Sequence, residues 1–389
     1  MFQGMKPKVA FIYTDWAHRP DKMYGGVGYY RVVKPASALG YDFYGAELGK
    51  MGDSIRDLWS KMFEKYDLII IKQSDSEVPT GMLLFFALYY GKKVVFDFDD
   101  NVFEVRKDQA AYEWYAPDKQ KRAIVSSALS LCHGIFVSTQ PLKDYYQKRL
   151  KEIYNADTPI YVVPNCADPA DWPSEVAAPR RKVIGYAGSI THNSDLRLIL
   201  PSLGKLLARH SDWELEILGG VKTTDVKSLF SDLPHKILDQ IAIKGGTQSW
   251  KGYPELLAEQ GWNVGLAPLI DDEFNRSKSH IKWMEYAMCG IPTLASTVYP
   301  YFEPIQGTPV IKDGETGLLF SDPKEFEHKL CSLMENDIIR DKIAKNAREA
   351  VLKNWAYSRH IEKWEEAILD VCNSPIPPHL PELSSLLKT

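Results

Sequence analysis

Between Asn275 and Ser296 the chain reads NRSKSHIKWMEYAMCGIPTLAS. On a helix, at about 100° per residue, Lys278, Lys282 and Glu285 fall on one stripe, and Ile281, Met284 and Met288 fall on another. The apolar stripe can pack into a core while the charged one faces a cleft. Two lysines with Arg276 beside them, at a helix start, suit a diphosphate, because cations and free backbone N–H groups then point the same way. One turn further on, the carboxylate of Glu285 can accept hydrogen bonds from two neighbouring hydroxyls, as a ribose offers. Ser277 is the expected N-cap. Gly290 is the expected left-handed residue after the helix, and Pro292 keeps the helix from resuming. A surface helix with a solvated charged face accounts for the same spacing without any ligand.

Three further stretches carry polar groups that could do chemistry. FDFDDN, Phe96 to Asn101, ends a strand and crowds Asp97, Asp99 and Asp100 together. Such carboxylates must be hydrated, paired or bound to a cation. They can also orient or deprotonate a hydroxyl, or cap the next turn. Gly25-Gly26-Val27-Gly28 follows the first strand and allows close backbone approach to a ligand. It is neither GxGxxG nor a P-loop, so a nicotinamide or ATP site is a poor fit. Arg31, just inside the following helix, is placed facing the cleft. Gly185-Tyr-Ala-Gly188-Ser189-Ile-Thr191-His192-Asn193-Ser-Asp195 reads as a strand, a polar loop and a helix start, an anion-site geometry. His192, at the loop tip, is a candidate for catalysis; a lone histidine is as readily structural.

These residues need strand ends to hold them, and the chain supplies strands alternating with helices. Lys8–Thr14, Tyr66–Ile71, Lys93–Phe98, Gly134–Ser138 and Ile160–Pro164 read as strands, with helices between them, notably 81–90 and 119–131. Residues 171–181, rich in Pro, Asp and Ala, read as a linker. The pattern restarts with strands at Lys182–Ala187, Glu214–Leu218, Ile241–Lys244, Val264–Pro268 and Thr293–Ala295. Helices are expected at 195–209 and 254–259, then at 324–336, 338–354 and 358–372. The expected class is α/β, with two Rossmann-like domains built on parallel sheets. Residues 1–170 form the first and 182–355 the second, and residues 375–389 form an extended proline-rich tail. Ligands of such sheets bind beyond the carboxyl ends of the strands, here in the crevice between the halves.

The organising stretch resembles the donor-binding segment of GT-B glycosyltransferases, most closely the retaining family-4 group. Those proteins carry a glutamate, a few small or apolar residues, Gly-x-Pro and a strand, matched here by Glu285, Gly290 and Pro292. A second family glutamate, eight positions earlier, is replaced by Ser277. Asn275, Lys278, Ser279 and Lys282 resemble an Asn-x-x-Lys-Ser-x-x-Lys branch of the family. The resemblance implies a nucleoside diphosphate sugar, a UDP- or GDP-sugar, as co-substrate, with no bound cofactor and no metal. It implies donor contacts from Gly25, Gly26, Gly28, Gly188, Ser189, Asn193, Arg276, Lys278, Lys282 and Glu285. Asp99 or Asp100 then lies on the acceptor side of the cleft, and Ser189, Thr191, His192 and Asn193 stand where the family's loop usually carries Arg and Lys on the diphosphate. Trp250 and Tyr253 correspond to an aromatic position near the nucleotide base. The Pro-Asn at 164–165 reads as structural. The family's last helix, here about 356–374, crosses back to the first domain. A sugar-nucleotide epimerase on the same fold and a non-catalytic sugar-nucleotide binder are the alternatives.

Composition narrows the rest. The chain has 389 residues and a formal net charge of −4, so no global basic field recruits nucleic acid or anionic membrane. The five cysteines show no CxxC spacing, which fits a reducing cytoplasm rather than a zinc or disulfide framework. The longest apolar run, Met82 to Tyr90, is too short to span a bilayer; peripheral membrane contact stays open. The acceptor stays open among a glycan, a lipid-linked sugar, a protein and a modified DNA base.

Overall fold

The structure is a computed structural model. It describes residues 6–13, 24–45, 52–72, 80–174, 181–188, 192–219, 229–231, 233–245, 249–305 and 307–381. Two parallel sheets of six strands each form the frame. The first contains β1 (Val9–Tyr13), β2 (Asp42–Tyr44), β3 (Leu68–Lys72), β4 (Lys93–Phe98), β5 (Gly134–Val137) and β6 (Ile160–Val162), in the order β2-β1-β3-β4-β5-β6. The second contains β7 (Val183–Ala187), β8 (Glu214–Leu218), β9 (Ile241–Lys244), β10 (Val264–Ala267), β11 (Thr293–Ser296) and β12 (Leu318–Phe320), in the order β12-β11-β10-β7-β8-β9. β2 and β12 were not expected. Both are three-residue strands at a sheet edge, too short to show a period.

The inner strands of each sheet are buried on both faces, so they are mostly apolar rather than alternating. In β1, Ala10 and Ile12 join a core with the helices Ile55–Lys65 and Thr80–Tyr89. Val9, Phe11 and Tyr13 face the other way, onto Val32, Ala36 and the last helix, Ile361–Asn373. That helix contributes Trp364, Ala367, Ile368 and Val371 to the first sheet's core, so the chain crosses back as expected. The second sheet packs on Leu200–Arg209 and Pro323–Glu335 on one face, and on Ile281–Met288 and Asp337–Asn354 on the other. The single helix expected over 195–209 is two, Asn193–Arg197 and Leu200–Arg209, the second opening on Pro201. The described part of the proline-rich tail, residues 375–381, packs back on the first half instead of merely lying on the surface. His379 Nε2 is 3.1 Å from Thr158 Oγ1, and Leu380 is buried.

Ser277 does not cap the organising helix. Asp272 caps a short turn, Glu273–Arg276, by accepting from the Asn275 amide, and Ser277 closes that turn by donating to the Glu273 carbonyl. The helix proper is Ile281–Met288. Lys278 therefore sits in the junction ahead of it, and Lys282 and Glu285 in its first turns. Gly290 has φ 66°, the left-handed residue after the helix.

Candidate active site

The carboxyl ends of both sheets meet at the junction that holds Lys278. From the first sheet, Thr139 Oγ1 donates to the Ser277 carbonyl at 2.7 Å, Asn101 Nδ2 to Ser277 Oγ at 3.4 Å, and Asn165 Nδ2 to Ser279 Oγ at 3.0 Å. Asp100 pairs with Lys278 Nζ at 2.9 Å. The segment after β4 reaches further: Arg106 pairs with Asp272, and Val105 and Ala111 pack on Phe274. From the other side, Tyr29 stacks on Trp250 with ring centres 4.0 Å apart.

The lysines, Glu285 and His192 share one electrostatic neighbourhood. Glu285 is buried, and it accepts from Tyr30 Oη at 3.1 Å and Tyr253 Oη at 3.0 Å. Burial pushes its carboxyl up to about 7, against the pull of the Tyr253 hydroxyl, Lys282 and the Tyr30 hydroxyl. Burial, then repulsion from Lys278, pushes the Lys282 ammonium down to about 8, although Glu285, Asp195 and Asp100 pull the other way. Among the described residues no carboxylate forms an ion pair with Lys282; its Nζ lies 5.4 Å from the Tyr186 ring centre. For Lys278, burial opposes the charge, but Asp100, with Asp195 and Asp99 adding to it, outweighs burial and the pKa is raised.

His192 Nδ1 lies 3.0 Å from Asp195 Oδ2. Burial, with Lys282 adding to it, pushes His192 down to about 3, so the ring is neutral at neutral pH. A neutral ring facing a carboxylate through Nδ1 carries its proton there, which leaves Nε2 as an acceptor. Asp195 is itself fixed, because its Oδ1 accepts from the Ile270 amide at 3.0 Å and from Asn275 Nδ2 at 2.8 Å. The arrangement offers two crowded cations, a neutral acceptor and a carboxylate lined by hydroxyls.

Other candidates fall elsewhere. Arg276 is not brought to this group: its guanidinium is half exposed and pairs with Asp271 at 2.6 Å. Arg31 does not face the cleft. It is fully buried, and it donates to Asp97 (Nε to Oδ1, 3.0 Å), to the Val163 carbonyl and to Asn165 Oδ1 at 3.1 Å. Asp99 pairs with Lys72 at 2.8 Å. The aromatic position expected near a base is engaged within the protein, Trp250 on Tyr29 and Tyr253 on Glu285. Gly28 is buried where a Cβ would meet the Tyr13 and Tyr24 side chains at 2.9 Å, and Gly26 lies against Trp250. Gly25 caps the short helix Gly26–Gly28 that leads to Tyr30. Gly188 follows β7, and Asn193 opens the Asn193–Arg197 helix, half-buried. Ser189 and Thr191 lie outside the described residues.

Among the described residues, the one side-chain set close enough to share a metal ion is His210, Cys331 and Glu335. His210 precedes β8, and so lies toward the amino ends of the strands of the second sheet, away from the carboxyl ends that face the cleft. Asp195, Tyr30 and Asn101 were not singled out as site residues. Asp195 alone left a signal, three residues after His192; the other two reach the site only through tertiary packing.

Residues 208–366 match the family described as glycosyl transferase-like. No protein of curated function matches significantly in sequence. Among solved structures, HepE from Anabaena, crystallised with UDP-glucose, superposes with a TM-score of 0.63 at 12% identity, covering 94% of this chain and 100% of that one. A glycosyltransferase from Rickettsia africae gives 0.59 at 16% identity, with 95% and 100% covered. TarM gives 0.59 at 14% identity, covering 82% of this chain. The chain spans 58% of the length of TarM. The fold is that of GT-B glycosyltransferases. Among the described residues no helix is long and apolar enough to cross a membrane.

Proposed function

We propose that the protein transfers a sugar from a nucleoside diphosphate sugar, a UDP- or GDP-sugar, to an acceptor hydroxyl. The observation that carries this is Lys278 and Lys282 crowded at the start of the Ile281–Met288 helix, with Lys282 lacking an ion-pair partner among the described residues, one turn from Glu285. A diphosphate would relieve that repulsion and take up the charge that develops as it leaves. Glu285 would meet the ribose and His192 Nε2 a sugar hydroxyl. The C1–O bond to the diphosphate breaks as the acceptor oxygen bonds C1. In the retaining course, the acceptor's proton passes to the departing phosphate on the same face, so no strong base is required. The match of 208–366 and the UDP-glucose complex of HepE support this reading. Retention, metal independence and a cytoplasmic location belong to the same proposal.

The test is a screen of UDP- and GDP-sugars for release of the nucleoside diphosphate, with the product's anomeric configuration read by NMR. Binding without turnover is the second reading. It is favoured by the partners that Glu285 and Lys278 already hold within the chain. Calorimetric binding with no released nucleotide, across donors and acceptor classes, would establish it.

A further inference from the structure

The carboxylates at the end of β4 do not share one kind of partner. Asp97 takes Arg31 and Asp99 takes Lys72, both cations of the first half. Asp100 takes Lys278, which belongs to the second half. The Asp100 side chain is 44% exposed and that of Lys278 14%, so water reaches the carboxylate more readily than the ammonium. Lys278 is held from behind by the Phe274 ring, 4.4 Å from Nζ, and Lys282 stands close enough to repel it.

We propose that Asp100 is a built-in stand-in for the donor's diphosphate: it neutralises Lys278 while the site is empty, and an arriving diphosphate displaces it. This inference rests on the donor reading given above. A diphosphate carries more charge than one carboxylate and can engage both lysines, whereas Asp100 forms an ion pair with Lys278 alone. Once displaced, Asp100 rehydrates at little cost because it is already half in water. It then stands as an unpaired carboxylate at the first-half edge of the cleft, where it can orient an acceptor hydroxyl. Donor binding thus creates the acceptor-side group, and donor precedes acceptor. Asp100 is a positioning residue for the donor, acting through Lys278.

The experiment is calorimetric titration of UDP and GDP into the full chain and its Asp100→Asn, Asp100→Ser, Lys278→Ala and Asp100→Asn/Lys278→Ala variants. The Asp100 carbonyl that accepts from Tyr146 Oη at 2.7 Å is backbone, and all of these variants keep it. With the competing charge gone, Asp100→Asn and Asp100→Ser bind about threefold or more tightly than the unaltered protein, and Lys278→Ala binds about tenfold or more weakly. In the Lys278→Ala background the Asp100 change then has a much smaller effect, what is left being its weaker pull on Lys282. A merely structural role for Asp100 would weaken binding and not tighten it. Unchanged or weaker binding by both Asp100 variants, with Lys278→Ala still weakened, overturns this proposal alone. Full affinity in Lys278→Ala overturns it together with the phosphate role of Lys278. Binding of neither nucleotide by the unaltered protein overturns the donor reading itself.

Discussion

Lys282 is a charge that the fold keeps at a cost. Its ammonium sits at about 8, below the ordinary lysine value of 10.5, mainly through burial and then Lys278. A folded-state pKa lowered in a lysine destabilises the fold wherever both states are protonated, below about 8. The penalty fades as pH rises from there toward the unfolded value. Replacing it with methionine keeps the stem's packing and removes the charge. Lys282→Met is therefore expected to be more stable at pH 7, by about 1–2 kcal/mol once its partial exposure is discounted. The gain shrinks as pH approaches 10, and UDP binding is lost. Thermal unfolding at pH 7 and pH 10 checks the first part, and calorimetry the second. The same group sets a pH dependence in the unaltered protein. A bound anion raises the Lys282 pKa, so UDP affinity is level just below pH 8 and falls above it, by up to about tenfold per pH unit. A titration series from pH 7 to 9.5 reads this directly; an affinity that rises over that range would exclude Lys282 from the anion site. At this scale the spacing of Lys282 and Glu285 was visible in the sequence, because a helix periodicity places neighbours without help from the rest of the fold, whereas Lys278 joins them from the junction ahead of the helix. The surroundings were not. Arg276 is drawn outward by Asp271, and Tyr30 arrives from 255 residues away.

Among the elements, the glycine-led helix is the one that joins the two halves at Glu285. Gly26–Gly28 runs through a π-helical turn, Tyr29–Val33, into Lys34–Leu39. That turn presents Tyr29 to Trp250 and Tyr30 to Glu285. The sequence marked these glycines as a place of close approach, which they are, but the close neighbours are the protein's own Tyr13 and Tyr24. A methyl at position 28 would lie 2.9 Å from both side chains, tighter than packed carbons tolerate. Gly28→Ala should destabilise by about 1–3 kcal/mol. Because Tyr24 stacks on Tyr29, the neighbour of the Tyr30 that donates to Glu285, the change should weaken UDP binding as well. Urea unfolding together with calorimetry separates this from a purely local effect, which would lower stability and leave affinity unchanged. The organising helix shows the opposite lesson. Its end was legible through Gly290 and Pro292, but its start was not. Asp272 competes as a cap and forms a separate turn, which moves the helix start to Ile281 and leaves Lys278 free of it.

Over the whole molecule, alternating strands and helices were enough to read two parallel sheets. The contacts that lock the sheets together leave no local pattern. The last helix makes the point, since its crossing was expected only from the family resemblance. Trp364 is fully buried against the first sheet, its ring 6.0 Å from Phe11 and 5.8 Å from Phe136, with the Arg31 guanidinium 4.7 Å above it. Arg31 in turn holds Asn165 through Oδ1, and Asn165 Nδ2 reaches Ser279 at the entrance of the Ile281–Met288 helix. A residue near the end of the chain thus buttresses the first half and, through two side chains, the junction that carries Lys278. Trp364→Ala leaves a large cavity and should cost about 3–5 kcal/mol. It should also lower UDP affinity, although Trp364 is not among the groups gathered around the lysines. Glu366→Ala, on the exposed side of the same helix, is the control, with a change within about 0.5 kcal/mol. If Trp364→Ala lowers the unfolding midpoint but binds UDP as tightly as the unaltered protein, the crossing helix supports the first sheet alone. If affinity falls with it while Glu366→Ala matches the unaltered protein on both measures, the packing of the last helix reaches the site through Arg31 and Asn165.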